Sequence, residues 1–223
     1  MIQVLFLCLI APTSVFLGLI VFKNILITFI LFYGVVCLFV PVTDIMIIRQ
    51  QGLRDFVDAL GFKNIKKTVL PATGLGLFFC LFIFLFFVLL QKHILNIDLV
   101  QSALDEWQIH KKSVIPFIFT MVVANSIFEE VYWRGYIYYK LSSRYTPVHV
   151  IGLTAFFYAS YHPISILNLF SLDYAILFSL IIFSIGVFWG YMRYRLDSIY
   201  FPIISHMLAD LGIMLMYFKY FGK

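Results

Sequence analysis

Long apolar runs, separated by short polar or basic connections, set the pattern of this chain. A bilayer-crossing helix needs about 20 predominantly apolar residues. Seven runs fit that requirement, at roughly 2–21, 25–48, 68–91, 113–139, 147–162, 173–192 and 199–218. The pattern therefore predicts an all-α, polytopic transmembrane helical bundle of about seven spans, with six to eight as the range. No internal repeat, low-complexity tract or linker divides it. The expectation is one integral-membrane domain, with N-terminal spans and a basic loop in 1–112 and the polar chemistry in 113–218.

The connections carry the remaining punctuation. Arg49 to Lys67 is the longest basic loop, with Arg49, Arg54, Lys63, Lys66 and Lys67. If it is cytoplasmic, nine Lys and Arg residues lie inside and six outside, counting the intramembrane Arg134 with neither group. By the positive-inside rule this puts the N-terminus inside. Within that loop, Leu53, Phe56, Val57 and Leu60 share one helical face and Gly61 follows as a stop signal, which predicts an interfacial amphipathic helix. Thr146 and Pro147 read as the N-cap and first position of the fifth span. The 92–112 connection mixes charge with Trp107, His93 and His110, and both histidines are expected to be solvated. The N-terminus lacks a basic n-region and a small-residue cleavage site, so it reads as a retained first span.

Composition agrees with a bilayer setting. The chain is 63% hydrophobic and 12% charged, against about 25% charged in soluble domains. A formal charge of +5 comes with no basic run or RNA-binding motif, so it fits basic connections between spans and not a nucleic-acid partner. Cys8, Cys37 and Cys80 lie in apolar runs at spacings that match neither a disulfide framework nor a zinc motif.

Against that background a few polar residues stand out. The fourth run contains Glu129-Glu130-Val131-Tyr132-Trp133-Arg134-Gly135. Each of its three charges costs on the order of 2.5–3.5 kcal/mol to insert, so each requires a partner, a wet cavity or a task. Glu130 and Arg134 are four apart on one helical face and are expected to pair. Glu129 points about 100° away and lacks a cation in its own helix, which suits it to exchanging protons. His162 ends the fifth run, one turn after Tyr158. In the seventh, His206 and Asp210 are four apart, where a carboxylate can orient an imidazole. Counted along the helices, Glu129 lies about 15 Å below Tyr139 while His162 lies about 22 Å from Pro147. The fifth helix must then start deeper or tilt for the two to meet.

These residues, as EExxxR (Glu129 to Arg134), a His162 motif with Tyr158 in place of phenylalanine, and HxxxD (His206 to Asp210), resemble the CPBP family. That family comprises type II CAAX prenyl endopeptidases and bacteriocin-processing or immunity proteins, and the resemblance spans about 113–218. It implies intramembrane proteolysis: Glu129 with His162 activating a water, His206 and Asp210 stabilising the oxyanion, and Glu130, Arg134 and Tyr158 in support. It implies a membrane-associated peptide or protein as substrate, such as a C-terminal tail, leader or pheromone; a short chain with no eukaryotic targeting signal sets the expectation of a bacterial cytoplasmic membrane. Zinc held by Glu129, His162 and His206 is the metal-dependent variant. HExxH is missing, and the preferred expectation is a glutamate mechanism with no cofactor. The competing readings are a non-catalytic immunity or binding protein of the same family and a small transporter or proton relay. The latter lacks the paired repeats and broken helices of transporters.

Overall fold

The structure, a computed structural model, describes residues 2–222. It is 87% helical without strands among those residues. Seven helices are long and apolar enough to cross a membrane: Gln3–Val21, Ile25–Ile48, Ile65–Ile94, Val114–Ser142, Pro147–Leu169, Leu172–Leu196 and Tyr200–Phe221. Their outward faces carry large exposed apolar side chains such as Leu70, Phe82, Leu89, Phe156 and Leu180, as lipid contact requires. The chain is an integral membrane protein.

Interhelical contact follows the small-residue logic of bilayer interiors, where close backbone approach replaces hydrophobic sorting. The third and seventh spans meet at Gly76 and Gly212. A Cβ on Gly212 would lie 2.7 Å from the Cys80 carbonyl oxygen and 3.0 Å from its Cα. Backbone cannot swing aside as a side chain can. Gly212→Ala is therefore expected to lower stability by about 1–3 kcal/mol. Gly34→Ala, with nothing within 4 Å of the added carbon, serves as its control. Thermal unfolding in one detergent checks this, and equal midpoints for the two variants would contradict it.

On the side of the basic loop, the amphipathic helix forms at Leu53–Leu60 and ends at Gly61 in the left-handed conformation, φ +87°. Leu60 is buried, whereas Leu53 is exposed. Gly135 of the fourth span admits this helix: a Cβ there would lie 3.1 Å from Leu60 Cδ2 and 3.3 Å from Ile199 Cδ1. The Gly61 carbonyl accepts from the Ile199 amide at 2.8 Å, and the Ser198 hydroxyl donates to the Lys63 carbonyl at 2.5 Å. The turn between the last two spans is thereby bound to the loop.

Several expectations are revised. The fifth span does not stop at His162. Tyr161 interrupts the helix, which resumes as His162–Leu169 with Pro163 in its first turn, where a missing N–H costs nothing. The fourth helix continues to Ser142, which places Glu129 about 20 Å from that end at 1.5 Å per residue. Glu129 and His162 thus lie at similar depth, and the mismatch counted from Tyr139 disappears. Thr146 occupies the N-cap position without capping the backbone; its hydroxyl meets His149 Nδ1 at 2.7 Å instead. Lys140, counted as a loop cation, is buried and bonds Asp44 at 2.8 Å. Trp107 is buried after the short helix Ile97–Glu106, and its carbonyl accepts from the Ile25 amide at 3.0 Å. His93 and His110 are exposed.

Candidate active site

The fourth span positions the central carboxylates. Its α-helical turn Ser126–Glu130 lies between two π-helical stretches, Thr120–Asn125 and Val131–Ile137, a wide geometry that recurs at functional sites. Glu129, Glu130 and Arg134 are all buried, the last two completely. Arg134 Nη1 donates to Glu130 Oε1 at 3.0 Å, as the four-residue spacing predicts, and Nη2 donates to the Gly186 carbonyl at 3.0 Å. The guanidinium also sits over the Tyr158 ring at 4.3 Å and within 5.5 Å of the Trp189 ring centre. Gly186 makes this approach feasible. A Cβ there would lie 3.1 Å from the Tyr158 ring and 3.3 Å from Nη2. Arg193 adds a further tie, its Nε donating to the Arg134 carbonyl at 3.1 Å while Nη1 binds Asp197 at 2.9 Å.

The seventh span brings His206 into this cluster. Its Nδ1 lies 3.0 Å from Glu130 Oε1, the same oxygen that Arg134 bonds. Its Nε2 is 3.5 Å from Asp210 Oδ2 and 3.9 Å from Glu129 Oε2. Both distances exceed a good N–H···O contact. A carboxylate oxygen only accepts, so the Glu130 contact fixes Nδ1 as a donor. The ring is stacked on Trp189 with centroids 4.4 Å apart. The orienting partner of His206 is therefore Glu130 first, and not Asp210 alone as the four-residue spacing suggests.

Asp210 has its own support. Its Oδ2 accepts from Asn125 Nδ2 at 2.9 Å, and Asn125 Oδ1 accepts from the Tyr33 hydroxyl at 2.6 Å. The Asp210 carboxylate only accepts, which settles that the amide nitrogen faces it. This chain, buried at every link, connects the second span to the site. Asn125→Leu is expected to strand both neighbours, at about 1–3 kcal/mol for each buried group left unsatisfied. Tyr33→Phe strands only one acceptor. In a double-mutant cycle read by thermal unfolding, the two should be strongly non-additive; additive losses would show that the chain is not a unit.

His162 makes no side-chain polar contact with Glu129, Glu130, Arg134, His206 or Asp210, and its bond within the candidate set is to backbone. Its Nδ1 lies 2.9 Å from the Tyr158 carbonyl. Because a carbonyl only accepts, Nδ1 carries the proton and Nε2 keeps its lone pair. Tyr158 links it to the cluster by packing, with its ring 4.8 Å from the His162 ring and 6.2 Å from that of His206. Tyr161 stacks on His162 at 4.6 Å and reaches Trp133 at 6.3 Å. Glu129 Oε2, the Tyr161 hydroxyl and Trp133 Nε1 are buried atoms without a hydrogen-bond partner.

Six of the seven residues singled out from sequence thus form one cluster, with His162 joined to it through Tyr158. Among the described residues no three His, Cys, Asp or Glu side chains converge in a geometry that can hold a metal ion. Sequence reasoning missed Asn125, Tyr33, Gly186 and Trp189. Asn125 had a signal, since it lies one turn before Glu129 in an apolar run; the others had none.

Comparison with known proteins gives one finding. Residues 111–212 match the family profile described as type II CAAX prenyl endopeptidase Rce1-like. That range corresponds closely to the 113–218 suggested by the motifs and indicates a peptide hydrolase. No curated protein and no solved structure matches the chain.

Proposed function

We propose, for a chain that belongs through residues 111–212 to the CPBP family of CAAX-type membrane proteases, that it cleaves a membrane-associated peptide or protein with a water activated by Glu129. The observation that carries this reading is the pairing of an unpartnered acceptor, Glu129 Oε2, with His206 Nε2 at 3.9 Å. One oxygen atom within hydrogen-bond distance of both spans that separation.

In the proposed step, the Glu129 carboxylate takes a proton from water as its oxygen attacks the scissile carbonyl carbon. The lone pair on His162 Nε2 accepts the second water O–H and orients the attack. The carbonyl π bond opens and charge develops on its oxygen. With its Nδ1–H held by Glu130, His206 acts here in its doubly protonated form, surrounded by the Glu129, Glu130 and Asp210 carboxylates, and its Nε2–H donates to that oxyanion in a water-poor setting where such donors act most strongly. Collapse breaks the C–N bond, and protonated Glu129 returns its proton to the departing amine. Glu130 and Asn125 act through others, the first holding the His206 ring and the second holding Asp210. Arg134, fixed by Glu130 and Gly186, sets the field around the pair. No step uses a metal.

Proteoliposomes carrying the purified chain and membrane-tethered peptides test this, with cleavage read by mass spectrometry. Cleavage is expected, at an unchanged rate after chelator treatment. Loss of activity with chelator, restored by zinc, would overturn the glutamate reading.

A further inference from the structure

We propose that the chain has a binding site for the phosphate headgroup of an anionic phospholipid at the loop-side ends of its first, second and fourth spans. A cavity of about 330 Å³ lies there, its lining including Gln3, Arg49, Tyr139, Lys140, Ser143 and Arg144. It is separate from the catalytic cluster, since Lys140 is about 16 Å along the fourth helix from Glu129 at 1.5 Å per residue.

Charge is the first argument. Three cations face this cavity, and the carboxylate beside them is Asp44. Lys140 bonds Asp44 Oδ2 at 2.8 Å from the buried floor, and Arg49 Nε lies 3.4 Å from the same oxygen. One carboxylate cannot neutralise all three. Arg144 is exposed and has no ion-pair partner among the described residues. Two guanidinium groups at one mouth suit a phosphate, whose oxygens match their forked donors. The Arg49 guanidinium is positioned over the Tyr139 ring, 5.7 Å from its centre. The Ser142 and Ser143 hydroxyls already donate to the Tyr139 and Lys140 carbonyls, so the arginines supply the free donors.

Position is the second argument, and it favours a lipid over a free ion. Leu5 and Phe6 follow Gln3 and are 49% and 63% exposed; Ile47 and Ile48 precede Arg49 and are 64% and 70% exposed. Acyl chains of a lipid whose phosphate sits in the cavity can lie along these flanks. Basic pockets between membrane helices recognise headgroups by this combination.

Full-length protein released from nanodiscs of equimolar phosphatidylglycerol and phosphatidylcholine, analysed by native mass spectrometry, tests the site. Wild type is expected to retain phosphatidylglycerol selectively. The double variant Arg49→Gln/Arg144→Gln should lose that retention by on the order of tenfold or more. Ser143→Glu, which sets a carboxylate at the exposed mouth, should do the same and decides the matter if the double variant fails to fold. Millimolar inorganic phosphate at matched ionic strength should not displace the lipid. Equal retention of the two lipids, retention undiminished in the folded variants, or displacement by inorganic phosphate would overturn the proposal.

Discussion

Glu129→Gln is expected to lower peptide cleavage by about 10²–10⁴-fold, the range typical of losing a positioned general base, while leaving the fold intact. Glutamine keeps the size and shape of the side chain but cannot take the water's proton. Structural loss should be small for a specific reason. Glu129 Oε2 has no hydrogen-bond partner in its buried position, and the brace between Glu130 and Arg134 does not pass through it. A neutral amide of the same shape leaves that brace in place, so the thermal midpoint should stay close to that of wild type. Cleavage rates normalised to folded protein, with melting curves alongside, check both halves. Near-wild-type cleavage by Glu129→Gln would remove the catalytic assignment.

Arg134→Met should do the opposite. Its guanidinium is fully buried and ties Glu130 to the Gly186 carbonyl. Methionine fills much of the volume but leaves the Glu130 charge facing only His206. Breaking one side of a buried ion pair costs about 3–5 kcal/mol, so this variant should be poorly folded at ordinary temperatures. Arg134→Lys should not rescue it, since one ammonium cannot reproduce the fork that reaches both acceptors and stacks on Tyr158. Removing the stranded charge as well, in Glu130→Gln/Arg134→Met, should recover part of the stability. Chemical denaturation in detergent gives the ordering, and an Arg134→Lys protein as stable as wild type would contradict it.

The sequence made much of this legible because the signals were local. Runs of apolar residues gave all seven spans, and the four-residue spacing of Glu130 and Arg134 gave their pair. Leu53 to Gly61 wrote out a helix and its stop within nine residues. The fifth span was cut short because Pro163 reads as a terminator, although a proline in the first turn of a restarted helix obeys the same stereochemistry. Other features had no local signature. Nothing near Tyr33 marks its bond to Asn125, 92 positions away, and nothing near Asp44 marks its bond to Lys140, 96 positions away. Gly186 matters for the bare backbone it offers to Arg134, which only packing reveals. His206 shows how spacing misleads: Asp210 is the neighbour by sequence, while the shorter contact is to Glu130 on another helix.

The central claim, that Glu129 activates a water and is not itself the attacking nucleophile, is tested most directly by a single turnover in ¹⁸O-labelled water. With enzyme in excess over a membrane-tethered peptide, the account predicts one ¹⁸O in the newly formed C-terminal carboxylate and none in the Glu129 side chain. Label in the enzyme peptide containing Glu129 would mean that a bond formed between this carboxylate and the substrate, which contradicts the account.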